Sequence, residues 1–522
     1  MTSADRSRDY IGLAAILIIT AATRFIGLGY KIFWFDEGAT TFIVKGVIDQ
    51  YFHPPAYYCI VRFVTNFMGE SEYTYRFTSA FFGWLTVLFV YLLAGHLFRK
   101  IESGRNLALF AGLITATSPY MVAVSQENRP YALIAFVAVS STYCLLKALE
   151  LPRKKSLRWW IAYLLVISLG CYSHIFAFTL LLAGNFYFLL LKISRKSALT
   201  YRYYLFVQIA VILIYLPQLT QTFDQVGMRS YTLSKVFDRL GPIYYAVGTM
   251  RTFYRFSVGS IFAMPGVGFV KIFKINPQMA ALGIAGLLTM FGGILCAIWG
   301  LTRHFVRRRH TEFAIFGFSF VILLLLVSLT LDDAKPRQLA HVAPFFIVMI
   351  AGGVGLLEKK WKVLAISLIL SGTIALHIPY AMSETYPFST FRWDNIAAYL
   401  NENVDDEDVV FINAGTREGY YTLKYYGCDR NLRFAGREHM SEDMPVRYYY
   451  DEKGRIHVMG DSALAARIFR ETYCRQIWFV NLEYIRSDLH DLTDVEKAEG
   501  DFGMGVEVLV VNASNFHLEI VN

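Results

Sequence analysis

The sequence predicts a polytopic α-helical membrane protein that ends in a small soluble α/β domain. Three observations lead to this prediction. The 522 residues are 55% hydrophobic and only 17% charged, with a mean hydropathy of +0.40, which is too apolar for a soluble protein of this size. Apolar stretches long enough to cross a bilayer recur up to residue 385, and polar and charged residues become frequent after it.

The predicted spans follow from length. A helix crosses the hydrocarbon core with roughly 20 apolar residues, because backbone groups that face lipid must bond within the helix. About eleven stretches meet this criterion. The fifth and sixth are separated only by residues 171–174, and one long helix is the alternative there. The predicted spans are 11–29, 77–98, 106–124, 130–149, 159–173, 175–192, 203–221, 279–301, 311–331, 338–358 and 361–381.

The orientation follows from the basic loops. Short loops on one side of the predicted bundle carry most of the Lys and Arg residues, and such loops lie in the cytoplasm. The first span lacks a cleavage site and is read as an uncleaved anchor. We therefore expect a multi-pass protein of the plasma (inner) membrane with its N-terminus in the cytoplasm and its C-terminus outside. The net charge of +9 reflects this orientation and not nucleic-acid binding. The basic loops are 99–105, 153–158, 192–202, 303–309 and 359–362.

The tail is predicted to be an extracytoplasmic domain of residues 386–522, after a membrane domain of residues 1–385. Short apolar runs alternate there with helical patterns, which suits an α/β sandwich. Cys428 and Cys474 could form a disulfide in an extracytoplasmic domain or stay as two thiols. The predicted strands are 408–413, 432–434, 477–481 and 506–511, and the predicted helices are 394–402, 416–426 and 462–473.

Two loops are too long to be simple connections, and long ordered loops are usually functional. One is 222–278, which is rich in aromatic and basic residues. The other is the first extracytoplasmic loop, residues 30–76. After Asp36 and Glu37 its apolar residues recur at helical spacing, and Pro54 begins a second helical segment. Two interfacial helices that cover a lipid-facing cavity are predicted.

Asp36 and Glu37 are the first candidates for chemistry. They follow an aromatic run directly beyond the first span. Carboxylates close to aromatics and a bilayer meet a setting less polar than bulk water, which suits a general base. Acidic residues at a helix start are also common as caps. The residues alone favour the two interpretations about equally.

Further polar residues lie at the predicted outer ends of spans. His53 precedes two prolines, Glu127 and Arg129 lie between the third and fourth spans, and Arg337 precedes the tenth. Ionisable residues within a membrane are costly and usually functional, and arginine binds phosphate well. A structural histidine, a Glu–Arg pair and interfacial snorkelling are the ordinary alternatives, and snorkelling is favoured for Lys335. His174 is a weaker candidate.

Motifs that would place the chain in other classes are missing from the sequence. It contains no P-loop motif and no H-E-x-x-H zinc motif. The segment 413–419 lacks the spacing of a dinucleotide-binding loop. The cofactor stays unknown, with a divalent metal ion as one option.

In combination, these motifs resemble the GT-C superfamily of polyprenyl-phosphate-sugar-dependent glycosyltransferases. The protein-mannosyltransferase and aminoarabinose-transferase group is the most similar. The resemblance covers most of residues 1–360, and the order of the motifs is more specific than any one of them. The matching motifs are Trp34-Phe35-Asp36-Glu37, His53-Pro54-Pro55-Ala56-Tyr57-Tyr58, Gly69-Glu70-Ser71-Glu72, Tyr75-Arg76-Phe77, Ser125-Gln126-Glu127-Asn128-Arg129-Pro130-Tyr131 and Pro336-Arg337.

The resemblance implies an inverting transfer of one sugar from a lipid monophosphate to a lipid, glycan or protein acceptor on the outer face. Asp36 would be the general base, assisted by Glu37. Arg129 and Arg337, with His53 and Glu127 nearby, would hold the donor phosphate. Lipid-A-modifying relatives carry lysine in place of His53, so that contact would differ or the histidine would bind a metal.

Two other functions compete with sugar transfer. A lipid or oligosaccharide transporter would also need a polar site within the membrane, but no inverted repeat is visible. An inactive scaffold would not need to retain the acidic pair together with Glu127 and Arg129.

Overall fold

The described part of the computed structural model contains fifteen α-helices and eight β-strands. The described residues are 3–47, 53–101, 103–195, 201–222, 256–257, 277–307, 316–317, 336–382, 392–406, 408–413, 418–428, 430, 432–434, 446–450, 456–460, 476–482, 495–497, 506–512 and 518–520.

The described helices follow one another closely through the first 382 residues, and two more lie in the tail. They are α1 (Ser3–Phe25), α2 (Phe35–Lys45), α3 (Ala56–Met68), α4 (Glu72–Leu97), α5 (Gly104–Thr117), α6 (Pro119–Ser125), α7 (Tyr131–Glu150), α8 (Arg153–Cys171), α9 (Ala177–Arg195), α10 (Tyr201–Tyr215), α11 (Pro277–Arg307), α12 (Ala343–Gly355), α13 (Lys359–Met382), α14 (Trp393–Asn403) and α15 (Glu418–Tyr425). Short 3-10 turns lie at Leu216–Gln218 and Pro336–Leu339.

The chain divides into two compact units. The first contains residues 1–29 and 50–383, and the second contains residues 30–49 and 384–522. The first unit is helical, and most of its helices are strongly apolar. Within the described residues, five helices are long and apolar enough to cross a membrane, or six if the bent pair α5 and α6 counts as one span. The protein is therefore a multi-pass membrane protein.

Helices occupy the predicted spans with some differences. The ninth predicted span, 311–331, lies outside the described residues apart from 316–317. The fifth and sixth predicted spans are separate helices, α8 and α9, and not one long helix. Residues 223–255 and 258–276 of the loop 222–278 are also outside the described residues, as are Lys335, Cys474 and the predicted helix 462–473.

The third predicted span is broken. The sequence predicted one continuous helix over 106–124, but α5 and α6 meet at an angle of 59°. Pro119 begins α6. Because proline has no N–H and its ring clashes with the preceding turn, a helix bends or ends there.

The helix α4 begins at Glu72, five residues before the predicted span starts. Ser71 explains this early start, because its hydroxyl accepts from the Thr74 N–H at 3.2 Å. In return the Thr74 hydroxyl accepts from the Ser71 N–H at 2.9 Å. This reciprocal cap satisfies backbone groups that a helix start leaves without helical partners.

The helix α7 is largely buried within the first unit. Its N-terminal half, residues 131–141, is almost completely buried, and it packs against α4 and α8. Close packing also occurs where α4 meets α6. A Cβ at Gly83 would lie 2.1 Å from Ser125 Oγ, so only glycine admits this contact.

The second unit joins α2 to elements of the tail. Its larger sheet has five strands in the order β2-β1-β5-β7-β6, with β1 parallel to β2 and β5, and β7 antiparallel to β5 and β6. A smaller sheet has the order β3-β4-β8. The strands are β1 (Val409–Asn413), β2 (Leu432–Phe434), β3 (Val446–Tyr450), β4 (Ile456–Gly460), β5 (Gln476–Leu482), β6 (Val495–Lys497), β7 (Val506–Asn512) and β8 (Leu518–Ile520).

An apolar core lies between α14, α15 and β1. It includes Trp393, Ile396, Leu400, Val410 and Leu423, all fully buried. Strands occur at the four predicted positions, and β3, β4, β6 and β8 were not predicted. The short and irregular apolar pattern of those segments gave no strand signal.

Candidate functional site

A buried polar centre lies in the helical unit, where His53 of the first loop meets the turn before α7. The guanidinium Nη2 of Arg129 is 3.0 Å from Nε2 of His53, and both side chains are buried. Because a guanidinium can only donate, His53 Nε2 accepts this hydrogen bond. A neutral His53 then carries its proton on Nδ1. The structure thus brings together two residues that the sequence predicted to share a phosphate site.

Aromatic rings enclose this pair. The ring of His174 stacks on His53 with centroids 4.7 Å apart and an interplanar angle of 26°. His174 Nδ1 accepts from the Phe176 N–H at 3.2 Å, which fixes the imidazole orientation. Tyr131 lies edge-on to His53 at 6.1 Å, and the Arg129 guanidinium lies 5.8 Å from the Tyr131 ring centre. His174, the weaker candidate from the sequence, is therefore in direct contact with a stronger one.

The backbone of the 127–130 turn is held by hydroxyl groups from α3 and α4. Ser79 Oγ donates to the Arg129 carbonyl at 3.0 Å. The Tyr57 hydroxyl lies 2.9 Å from Ser79 Oγ and 3.1 Å from Asn128 Oδ1. Since the Ser79 proton goes to Arg129, the Tyr57 proton is donated to one of these two oxygens. No role was predicted for Tyr57, Ser79 or Asn128 from the sequence, because only the packing of α3 and α4 brings them to this turn.

Glu127 and Arg337 are the remaining two residues predicted for the donor site. Glu127 is fully buried in the same turn, and its carbonyl accepts from the Arg129 N–H at 2.8 Å. Arg337 lies in the Pro336–Leu339 turn, which packs against α7. The Arg337 side chain is outside the described part of the chain, so its contact with Arg129 stays a prediction.

A third histidine lies next to this centre. His341 is fully buried, and its Nε2 is 3.3 Å from Thr179 Oγ1. The Phe176 ring separates it from His174, with centroid distances of 4.9 Å to His174 and 5.9 Å to His341. The sequence reasoning missed His341, although a lone histidine within the apolar run 339–348 was a usable signal.

The two acidic candidates lie on α2, in the second unit. The N-cap of α2 is Trp34, so neither acid occupies the cap position itself. Glu37 is fully buried, and its Oε2 accepts from the Trp34 N–H at a long 3.4 Å. Asp36 is half-buried in the first turn, where its carbonyl accepts from Thr40 Oγ1 at 2.8 Å. Of the pair, Glu37 therefore closes the helix start, and Asp36 lies in the first turn of the helix.

The helix α2 is fixed against α15 by close contacts. A Cβ at Gly38 would lie 2.1 Å from Thr422 Oγ1 and 2.8 Å from Thr422 Cα. Phe42 packs on Tyr421 with centroids 5.2 Å apart. The Phe33 N–H donates to the Tyr426 hydroxyl at 2.7 Å. The glycine directly after the acidic pair is thus needed for packing, which the sequence did not indicate.

No group of three or more His, Cys, Asp or Glu side chains with metal-site geometry occurs within the described ranges. His53 and His174 stack face to face, so their nitrogens do not converge on one point.

Comparisons with known proteins support the fold. Residues 52–220, which include His53, Glu127, Arg129 and His174, match the family described as dolichyl-phosphate-mannose-protein mannosyltransferase. ArnT from Cupriavidus metallidurans, in a crystal structure bound to undecaprenyl phosphate, has a TM-score of 0.58 at 13% identity. The match covers 98% of this chain and 99% of ArnT. The protein has the GT-C fold.

Other relatives share the GT-C fold or part of the sequence. The oligosaccharyltransferase from Archaeoglobus fulgidus, in complex with Zn and sulfate, has a TM-score of 0.53 at 15% identity and covers 90% of this chain and 68% of its own. YkcB from Bacillus subtilis, described as a candidate mannosyltransferase, is 28% identical over 174 residues. That match spans 30% of this chain and 23% of YkcB. The resemblance to the GT-C superfamily predicted from the motifs is confirmed for the fold.

Proposed function

We propose that this GT-C protein is an inverting glycosyltransferase that moves one sugar from a polyprenyl-phosphate carrier to an acceptor. The acceptor is a lipid, a glycan or a protein on the extracytoplasmic face. The observation that carries the proposal is the buried contact between Arg129 and His53, with Nη2 and Nε2 3.0 Å apart. Ionisable side chains buried in a membrane protein are costly and are usually functional.

A phosphate fits this centre for two physical reasons. Arginine offers several N–H donors in a planar arrangement that matches phosphate oxygens. The helix α7 also begins at Tyr131, two residues after Arg129, and a helix N-terminus favours negative charge. Both effects would stabilise the charge that develops on the leaving lipid phosphate.

The chemical step assigns a role to each candidate. Asp36 takes the proton of the acceptor hydroxyl, and Glu37 assists it. The acceptor oxygen forms a bond to the anomeric carbon, while the bond from that carbon to the phosphate oxygen breaks on the opposite face. The electron pair stays on the phosphate, which Arg129 and Arg337 neutralise. His53 and Glu127 orient these cations.

The donor class is supported by ligands of the structural relatives. ArnT was crystallised with undecaprenyl phosphate, and the Archaeoglobus fulgidus oligosaccharyltransferase AglB was determined with an inhibitory peptide and a dolichol-phosphate. AglB has a TM-score of 0.52 with this chain. A polyprenyl-phosphate sugar is therefore the donor we propose.

The membrane arrangement is part of the proposal. It has about eleven spans, a cytoplasmic N-terminus, residues 386–522 as an extracytoplasmic α/β domain, and a location in the plasma (inner) membrane. The helices α2 and α3 lie in the membrane interface. For α3 this is supported by its two faces, since Tyr57 and Val61 are buried while Phe63 and Phe67 are 73% and 85% exposed.

The deciding experiment uses purified full-length protein in lipid nanodiscs with a panel of polyprenyl-phosphate sugars. Released polyprenyl phosphate and the glycosylated product are both measured by mass spectrometry. The proposal expects release of lipid phosphate from one donor and loss of that release in Arg129→Ala. Movement of the intact donor across vesicles without release would instead indicate a transporter.

A further inference from the structure

The break between α5 and α6 leaves two carbonyl groups without their helical partners. In a continuous helix the Thr115 carbonyl would accept from residue 119 and the Ala116 carbonyl from residue 120. Residue 119 is proline and has no N–H. The last regular bond before the break runs from the Ser118 N–H to the Ile114 carbonyl at 2.7 Å. Carbonyls exposed in this way inside a membrane bundle need other donors.

Arg24, from the last turn of α1, supplies these donors. Its Nη2 donates to the Thr115 carbonyl at 2.8 Å, and its Nη1 donates to the Ala116 carbonyl. Nη1 also lies 2.7 Å from Thr23 Oγ1, which in turn lies 3.1 Å from the Ala116 carbonyl. The Arg24 side chain is fully buried. Two nitrogens of one planar group thus reach two successive carbonyls, which a single lysine ammonium would do poorly.

The segment after the break returns to the same end of α1. Gln126 Nε2 donates to the carbonyls of Thr23 at 3.1 Å and Arg24 at 3.3 Å. The Tyr380 hydroxyl donates to Gln126 Oε1 at 2.7 Å, which fixes the orientation of that amide. Three residues after Gln126 comes Arg129. The end of α1 therefore holds the chain on both sides of α6.

We infer that Arg24 is a positioning residue, which keeps α5 and α6 bent and thereby holds the 126–129 segment where Arg129 meets His53. The role in substrate handling rests on the proposed function, whereas the role in holding the segment does not. Arg24 donates to the Thr115 and Ala116 carbonyls, and its own carbonyl accepts from Gln126, so its effect on Arg129 passes through the backbone of α6 and through Gln126.

The test compares two arginines that join the same pair of helices. Arg24→Met removes the bonds at the break. Arg105→Met removes a second arginine link between α1 and α5, the Arg105–Asp9 ion pair at 2.6 Å, at the opposite end. Arg24→Lys keeps the charge, and this variant replaces Arg24→Met in the test if Arg24→Met does not fold. All variants are studied as full-length protein in nanodiscs.

The first measurement is amide hydrogen exchange of peptides that cover residues 118–130. We expect Arg24→Met to speed exchange there at least 10-fold, Arg24→Lys to have a smaller effect, and Arg105→Met to change it less than 2-fold. The inference is overturned if Arg24→Met leaves exchange in this segment at the wild-type rate. This result does not depend on any activity.

The second measurement is the affinity for undecaprenyl phosphate, with the donor KM and kcat once turnover is established. We expect Arg24→Met to weaken lipid-phosphate binding and raise the donor KM about 10-fold, with Arg105→Met unchanged. A variant with lower thermal stability but wild-type affinity would show a merely structural role and overturn the inference. If the wild-type protein binds no polyprenyl phosphate, the proposed function fails, and hydrogen exchange alone decides the role of Arg24.

Discussion

Arg129 and His53 are 76 residues apart in sequence, yet Arg129 Nη2 lies 3.0 Å from His53 Nε2 inside the helical unit. The guanidinium donates and the imidazole accepts, so His53 orients the Arg129 charge and places no competing donor at Nε2. The ring of His174 stacks on one face of the His53 imidazole. The arrangement holds a cation in a fixed direction, as an anion-binding site requires.

Removal of the Arg129 charge should impair use of the lipid-phosphate donor. We expect Arg129→Ala to lower kcat/KM for the donor by about 100-fold and Arg129→Lys by less, because lysine keeps the charge but not the planar donors. Steady-state kinetics in nanodiscs measure the effect. Arg158→Ala, at an exposed arginine, is the matched control and should behave as wild type. Equal activity of Arg129→Ala and wild type would exclude Arg129 from the phosphate site.

Neutralisation of Asp36 should stop the chemical step but not folding. We expect Asp36→Asn to lower kcat by about 1,000-fold, because an amide cannot accept the acceptor proton. Glu37→Gln should keep the bond to the Trp34 N–H through its amide oxygen and should lose less activity. Thermal unfolding of both variants provides the control for folding. Full activity of Asp36→Asn would remove its assignment as the base.

The Tyr57 hydroxyl should contribute to stability through the 127–130 turn. Tyr57→Phe removes contacts of 2.9 Å to Ser79 Oγ and 3.1 Å to Asn128 Oδ1. We expect a loss of about 1–2 kcal/mol in the free energy of unfolding, because buried polar partners lose a hydrogen bond. Chemical denaturation measures it, and Tyr10→Phe at an exposed tyrosine is the control. An unchanged denaturation midpoint for Tyr57→Phe would contradict this role.

The contact of α2 with α15 should not tolerate a methyl group at residue 38. Gly38→Ala would place Cβ 2.1 Å from Thr422 Oγ1, so the helices must separate, and we expect a loss of about 1–3 kcal/mol. Gly112→Ala is the control, since its Cβ would meet neighbours only at 3.7 Å. Thermal unfolding compares the two. Adding Thr422→Ala should restore Gly38→Ala only in part, because the 2.8 Å conflict with the Thr422 Cα persists.

Much of the helical architecture could be predicted because hydrophobic length is a local property. The spans around α4, α7 and α13 are continuous apolar runs, and their positions follow directly from the need to bond the backbone within the membrane. The break at Pro119 was not predicted, although proline is a recognised cause of bends. The surrounding residues were apolar on both sides, and nothing local signalled that Arg24 would supply the missing donors.

The candidate site was predictable in its residue types and not in its contacts. An acid pair beyond the first span and an arginine near a predicted outer end of the bundle were visible because charges are rare in such surroundings. The supporting hydroxyls of Tyr57 and Ser79 were not, because these residue types are common in buried helices, and His174 was only a weaker candidate. Their role depends on which faces of α3, α4 and the 172–176 segment turn toward the same point.

The sequence by itself determined that the protein is a multi-pass membrane protein, and it predicted that its chemistry is carried by Asp36, Glu37, His53, Glu127, Arg129 and Arg337. Only the tertiary structure decided that Arg129 meets His53, that Glu37 closes the start of α2, and that residues 30–49 belong to the same unit as residues 384–522. Composition and periodicity act over neighbouring residues. Contacts between distant residues depend on how whole helices pack, which no local pattern specifies.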